Sequence, residues 1–304
     1  MSSATPTYRD HPADPHAETL VKRLFARIGE ISTLPVVALR IMDVAQNPKT
    51  GADDLLEAVR FDAALAMRIM RTVNSSYYAL RNKVADLKLA ITLLGFKEIR
   101  NLALTAYVAQ LFKQSGVHGP YRRDQLWNHL VAVATVSRWI AQRCGRVPPS
   151  EAYLAGLLHD LGLILIDQYL HKPFCQVVDT LAQAAPGTTL PQIETEILGF
   201  DHTQLGEYVS GQWNLPEHLI AAIRYHHSPL EYEGTHRAMV GVVSLADFFC
   251  SLKGVSALSV GQASPPPAQV FQDLGFGKRE VAELWEQLDE VLQTANFMAS
   301  CGEQ

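Results

Sequence analysis

The chain has 304 residues, of which 48% are apolar and 19% charged, and carries a formal net charge of −5. That length and balance suit two domains or one large one with a well-buried core, and exclude disorder over most of the chain. A mildly acidic surface offers no electrostatic basis for nucleic-acid binding, and the densest basic clusters, Arg122-Arg123 among them, are too short to form a basic tract.

Cys144, Cys175, Cys250 and Cys301 lie far apart without CxxC spacing, so neither a disulfide framework nor a zinc knuckle is expected. No charged start leads into an apolar run, as a secretory signal requires. No window of about 18 residues is apolar enough to span a membrane. The expected location is the cytoplasm, with no membrane and no nucleic-acid partner.

In chain order, residues 1–17 hold Pro6, Pro12 and Pro15 among small and charged residues and read as a flexible tail. From about Glu18 the pattern is helical: Leu20, Leu24 and Ile28, then Val37, Ile41, Val44 and Ala45, recur three and four apart. Leu34-Pro35 suits a helix start and Asn47-Pro48 a stop. Helices follow over 53–59 and 63–73, the latter stopped by Asn74-Ser75-Ser76, whose side chains compete for backbone hydrogen bonds. Further helices are predicted over 84–94, 97–112, 123–144, 150–167, 170–184, 189–198, 202–212, 216–226, 236–252 and 278–298.

No stretch sustains a period of two, so the predicted fold is all-α without substantial sheet. Residues 114–121 read as a connection between two helical subdomains, and residues 254–267, ending in Pro265-Pro266-Pro267, as a long loop. The expected division is tail 1–17, an amino-terminal helical subdomain 18–115, a second helical subdomain 116–253, and a proline-rich loop with a terminal helix over 254–304.

The residues able to carry chemistry lie in the second half. His129 is early in a long helix; Gly156-Leu157-Leu158-His159-Asp160-Leu161-Gly162 sets a His-Asp pair in an apolar helix; Asp201-His202 opens another. His226-His227 closes a further helix, and Asp247 is a carboxylate in an apolar one. An unpartnered charge at 160 would cost several kcal/mol, on the order of the desolvation penalty of a buried ion. A divalent cation removes that penalty and takes neutral imidazoles and ionised carboxylates as ligands. Adjacent helical residues point about 100° apart, so His159 and Asp160 converge only on a metal beside the helix, with other helices supplying the rest.

Each residue taken alone has a blander reading. A lone histidine on an apolar face is more often a hydrogen-bonded core residue, Asp247 can cap or pair with an arginine, and His226-His227 suits the negative end of a helix dipole. Asp201 reads as a helix N-cap. His11, His16, His118, His171, His218 and His236 are expected to stand outside any site.

The ordered combination His129, His159-Asp160, His202, His226-His227, Asp247 resembles the H…HD…H…HH…D series of the HD superfamily of helical metal-dependent phosphohydrolases. The preceding stretches Val59-Arg-Phe-Asp-Ala-Ala-Leu65, Arg71-Thr-Val-Asn-Ser-Ser-Tyr77 and Ala90-Ile-Thr-Leu-Leu-Gly-Phe96 resemble the amino-terminal half of HDOD (HD-related output) domains. The resemblance covers about residues 20–252 and makes the second subdomain an HD-like helical bundle. It implies a bacterial regulatory module acting through signalling proteins, with a nucleotide ligand possible. It also implies one or two divalent ions, iron, manganese or zinc, on His129, His159, Asp160, His202, His226, His227 and Asp247.

Three departures separate the chain from cyclic di-GMP-degrading relatives. Leu163 stands where their HDxGK pattern has lysine, so no cation there can neutralise phosphate charge. Ser-Pro-Leu-Glu follows His226-His227 in place of a GYP-bearing segment, and Gln125 stands where a glutamate can occur. The leading expectation is therefore a metal-bound regulatory domain without turnover. The alternative is a phosphohydrolase with Asp160 bridging two metals and Arg138, Arg143 or Arg224 replacing the lysine. A third possibility is an ion-free, hydrogen-bonded polar core. The terminal stripe Val281, Leu284, Trp285, Leu288, Val291, Leu292 is expected to pack on the core.

Overall fold

A computed structural model of the chain describes residues 21–28, 36–46, 49–60, 62–75, 78, 80–112, 116–258 and 264–303. The expected tail with His11 and His16, the Leu34-Pro35 start, the Asn47-Pro48 stop and residues 259–263 of the proline-rich loop lie outside the described residues. The fold is all-α. Its only strands among the described residues are β1 (Val117–His118) and β2 (Tyr121–Arg122), an antiparallel two-residue hairpin at the connection between the helical halves.

The first half comprises α1 (21–28), α2 (Val36–Gln46), α3 (Ala52–Arg60), α4 (Ala63–Val73), α5 (Leu87–Leu94) and α6 (Phe96–Val108) with a 3₁₀ turn over Ala109–Phe112. Local signals set several ends. Asp62 accepts from the Leu65 N–H at 2.9 Å and Asp86 from that of Leu89 at 2.8 Å, each satisfying an orphan donor of a helix start. After α4, Asn74 donates to Met70 and Val84 carbonyls and accepts from the Val84 N–H, clamping the return of the chain. Asp86 also explains why α5 begins at Leu87 and not at 84.

The second half is built on α7 (Arg123–Cys144), against which pack α8 (Pro149–Leu158), α14 (Arg237–Leu252) and α16 (Lys278–Glu303). The remaining elements are α9 (Leu161–Tyr169), α10 (His171–Gln183), α11 (Leu190–Leu198), α12 (His202–Gln212), α13 (Glu217–Tyr225) and α15 (Ala268–Leu274). Reciprocal capping boxes start α11 (Thr189 with Gln192) and α12 (Asp201 with Gln204), so Asp201 is the N-cap its position suggested. The terminal stripe packs inward through Leu284, Leu288 and Leu292, which are buried, while Trp285 is exposed, and Trp127 donates its indole N–H to the Ala299 carbonyl.

Two expectations about elements are corrected. The helix predicted over 150–167 is two helices, α8 and α9, with His159 and Asp160 in the turn between them. There the His159 Nδ1–H donates to the Gly156 carbonyl at 2.8 Å, taking an acceptor that a continuing helix would use, and Asp160 leaves the helical region at φ −100, ψ 23. The second correction is α15, a single helix of seven residues that starts directly after Pro267, where no helix was predicted. Its sequence is too short for a periodic signal to rise above the prolines before it.

Charged pairs join the halves. Arg138 on α7 forms a bidentate pair with Glu98 on α6 at 3.0 and 2.9 Å. Arg100 on α6, itself buried, reaches Glu151 on α8 at 3.0 Å. Burial would raise the Glu151 pKa, but the bond from His218 and the Arg100 charge outweigh it and bring it down to about 2. A depressed carboxylate contributes stability above its unfolded pKa of roughly 4.3, and that contribution fades as pH falls toward the folded value. Glu151→Gln is therefore expected to cost about 3 kcal/mol near neutrality. The gap in thermal midpoint between wild type and variant should close as the pH drops from 4.5 to 2; a gap constant across that window would show that this pair is not the acid-sensitive contact.

Candidate metal centre

Five helical segments bring the predicted residues to one point. His129 comes from α7, His159 and Asp160 from the turn between α8 and α9, and His202 from the first position of α12. His226 and His227 follow the end of α13, and Asp247 lies on α14. All seven meet in the second half. They fall into two groups, His129/His159/Asp247 and Asp160/His202/His226/His227, each with its ligand-type atoms within 4.8 Å of one another.

The two oxygens of Asp160 divide between the groups. Its Oδ2 lies 3.5 Å from His129 Nε2 and 3.3 Å from His159 Nε2, while Oδ1 lies 3.3 Å from His202 Nε2 and 3.4 Å from His226 Nε2. Asp247 Oδ1 stands 3.4 Å from His129 Nε2, and its Oδ2 stands 4.0 Å from His227 Nδ1. His129, His159, Asp160, His202 and His226 are buried; the wet edge of the cluster is His227, whose side chain is 34% exposed, and Asp247.

Hydrogen-bond bookkeeping tests whether a cation fits. The Nδ1 atoms of His129, His159 and His226 face the carbonyl oxygens of Val255, Gly156 and Ile223 at 2.8, 2.8 and 3.0 Å. A carbonyl only accepts, so each Nδ1 carries a proton, and the ring in its neutral form presents a bare Nε2. His202 does likewise toward Glu194 Oε2 at 2.6 Å. Four lone pairs thus point at a carboxylate and at one another, with His129 and His159 Nε2 only 3.3 Å apart. Asp160 Oδ1, His202 Nε2 and His226 Nε2 are buried without a hydrogen-bond partner. Acceptors facing acceptors are repulsive unless a positive charge stands between them, and this donor set of imidazole and carboxylate is one that divalent transition metals take. The residues fit a metal.

A proton on an imidazole can also supply positive charge there. Burial by itself would raise the Asp160 pKa, but His159 and the bonds from its imidazole neighbours hold it well below the usual carboxylate range. Burial would lower His202, yet the Glu194 and Asp160 carboxylates raise it well above an ordinary imidazole. Burial and the neighbouring imidazoles lower His226 and His227 instead, which keeps those two rings neutral with lone pairs to offer.

Residues with bland readings stay outside. His118 pairs with Asp179, His171 with Asp167 and His218 with Glu151, and His236 lies 4.0 Å from Glu217. Of the cations weighed for phosphate binding, Arg138 is committed to Glu98, Arg143 donates to Gln287, and Arg224 is held by Thr203 and Glu207. Leu163 is fully buried. Among the described residues, no lysine or arginine pairs with any of the seven.

Sequence reasoning missed Glu194, which is buried in α11 and bonded to both the ring and the backbone N–H of His202. A signal existed. Leu190, Glu194 and Leu198 share an i, i+4, i+8 stripe, so a carboxylate stands where the pattern asks for an apolar side chain. Asp167 was missed too; fully buried at the end of α9, it accepts from Tyr121 at 2.8 Å and Arg123 at 2.7 Å and so fixes the hairpin.

Comparison with known proteins bears on this architecture. The fold matches an HDOD domain protein of unknown function from Geobacter sulfurreducens, with 27% identity, a TM-score of 0.76, and coverage of 93% of this chain and 98% of that one. It also matches a protein from Marinobacter aquaeolei VT8 described as a signal transduction protein, with 26% identity and a TM-score of 0.79 over 95% of this chain and 66% of that one. A structure from Shewanella amazonensis SB2B described as a phosphohydrolase, 21% identical over 91% of this chain and 97% of its own, shares the fold at a TM-score of 0.70. Against a curated relative from Treponema pallidum (strain Nichols), the chain is 24% identical over 73% of its own length but spans only 42% of that protein. Among the described residues, no helix is long and apolar enough to cross a membrane. Residues 31–229 match the HDOD domain family, a span that takes in every cluster residue except Asp247, and the chain belongs to that family.

Proposed function

We propose that this chain is a bacterial signal-transduction module of the HDOD family that holds one or two divalent ions on His129, His159, Asp160, His202, His226, His227 and Asp247, and acts through protein partners without turnover. The observation that carries the metal is the convergence of four Nε2 lone pairs on the two oxygens of one buried carboxylate. The case against turnover rests on the buried Leu163 and on Arg138 and Arg224, each already paired with a carboxylate and so not free to meet a phosphate. Mixed nitrogen and oxygen ligation favours iron, manganese or zinc. The half over 116–253 would carry the ions, and the helical surface of the domain would meet a signalling protein; a nucleotide at the wet edge is compatible with this reading.

One observation favours a second reading, a metal-dependent phosphohydrolase. Asp160 turns one oxygen to each group, so it could be a ligand common to two ions, and such ions would supply the charge that neutralises a phosphate. One experiment separates the two. The purified chain is reconstituted with iron, manganese and zinc in turn, analysed for metal, and assayed on phosphodiester and phosphomonoester substrates. Near-stoichiometric metal without hydrolysis is expected. Absence of metal under all three conditions removes the metal centre, and metal-dependent hydrolysis moves the assignment to the enzyme.

A further inference from the structure

The four buried imidazoles are not equivalent behind the cluster. His129, His159 and His226 each place Nδ1–H on a neutral backbone carbonyl. His202 is different: its Nδ1–H meets the Glu194 carboxylate at 2.6 Å, and the same oxygen accepts the His202 backbone N–H at 3.0 Å. Glu194 is fully buried, and its Oε1 has no hydrogen-bond partner. An amide would satisfy both N–H groups without burying an ionisable group, which is costly in an apolar interior. A carboxyl group in a place where an amide would serve is thus the feature to explain.

A carboxylate behind an imidazole fixes the tautomer and raises the electron density at the far nitrogen, strengthening it as a ligand. Beside the shared Asp160, the group containing His202 also holds three imidazoles, against two in the group of His129, His159 and Asp247. Resting on the metal-centre reading above, we propose that Glu194 is a positioning residue that makes the Asp160/His202/His226/His227 group the tighter of two unequal half-sites. Ions then load in order, that group first and the His129/His159/Asp247 group second.

Zinc alone is the probe, titrated into the full chain against a competing chelator, for wild type, Glu194→Gln and Glu194→Asp. Wild type is expected to bind in two steps. Glu194→Gln should weaken the tighter step by about 10- to 100-fold and leave the weaker one unchanged, with Glu194→Asp restoring part of the loss. Anomalous diffraction from crystals grown with one equivalent of zinc should place the ion among Asp160, His202, His226 and His227. Should Glu194→Gln not fold, as judged by circular dichroism, Glu194→Asp and the anomalous map carry the test. A lowered melting temperature with both steps intact would assign Glu194 a structural role only and overturn the proposal, as would a first ion found among His129, His159 and Asp247. Wild type that binds no zinc, iron or manganese instead removes the metal-centre reading on which the proposal stands.

Discussion

Asp160→Ala is expected to abolish stoichiometric metal binding, with affinity falling by on the order of 100-fold or more, because this one side chain turns an oxygen to each group. Its Oδ1 faces His202 and His226, and its Oδ2 faces His129 and His159, so truncation leaves neutral imidazoles with Asp247 as the only remaining carboxylate of the cluster. A ligand that binds the folded chain alone stabilises it by mass action. Wild type should therefore melt at a higher temperature when metal is added, and the variant should not. Asp160→Asn separates charge from shape: it keeps an oxygen and the volume, and should lose nearly as much metal as Asp160→Ala. Retention of wild-type metal content by Asp160→Ala would mean that this carboxylate is not a ligand.

Gly162→Ala is expected to be the most disruptive small substitution near the cluster. A Cβ built there would sit 1.9 Å from the His202 carbonyl oxygen and 2.7 Å from its carbon, both backbone atoms with no rotamer to escape into. The start of α9 must then separate from the start of α12, carrying Asp160 away from His202. Overpacking of this kind costs about 3 kcal/mol or more, and here it also breaks the 3.3 Å approach between Asp160 Oδ1 and His202 Nε2. Gly211→Ala is the matched control: it lies on α12 with nothing within 4 Å of its added carbon, and it should be neutral or slightly stabilising. Thermal unfolding with and without metal reads both effects. A Gly162→Ala variant with wild-type stability and metal content would contradict the close approach of these helices.

Much of this molecule was legible in its sequence. Helical periodicity, the Asp201 cap and the stop at Asn74 depend on neighbours three or four residues apart, so a local reading finds them. The ordered series from His129 to Asp247 was legible for another reason. Imidazoles and carboxylates at apolar positions conflict with burial, and conflict with local pattern marks a site.

Other features were decided only by tertiary packing. The break at His159-Asp160 needs the Gly156 carbonyl captured by His159 and the backbone of α12 pressed against Gly162, neither of which periodicity encodes. Which nitrogen of each ring faces the centre depends on Val255, Gly156, Glu194 and Ile223, up to 126 residues away along the chain. The sequence determined which residue types had to be satisfied in the interior; the packing of five segments decided which atoms do so, because burial is read residue by residue while hydrogen-bond and ligand geometry exists only between chains of atoms brought together from afar.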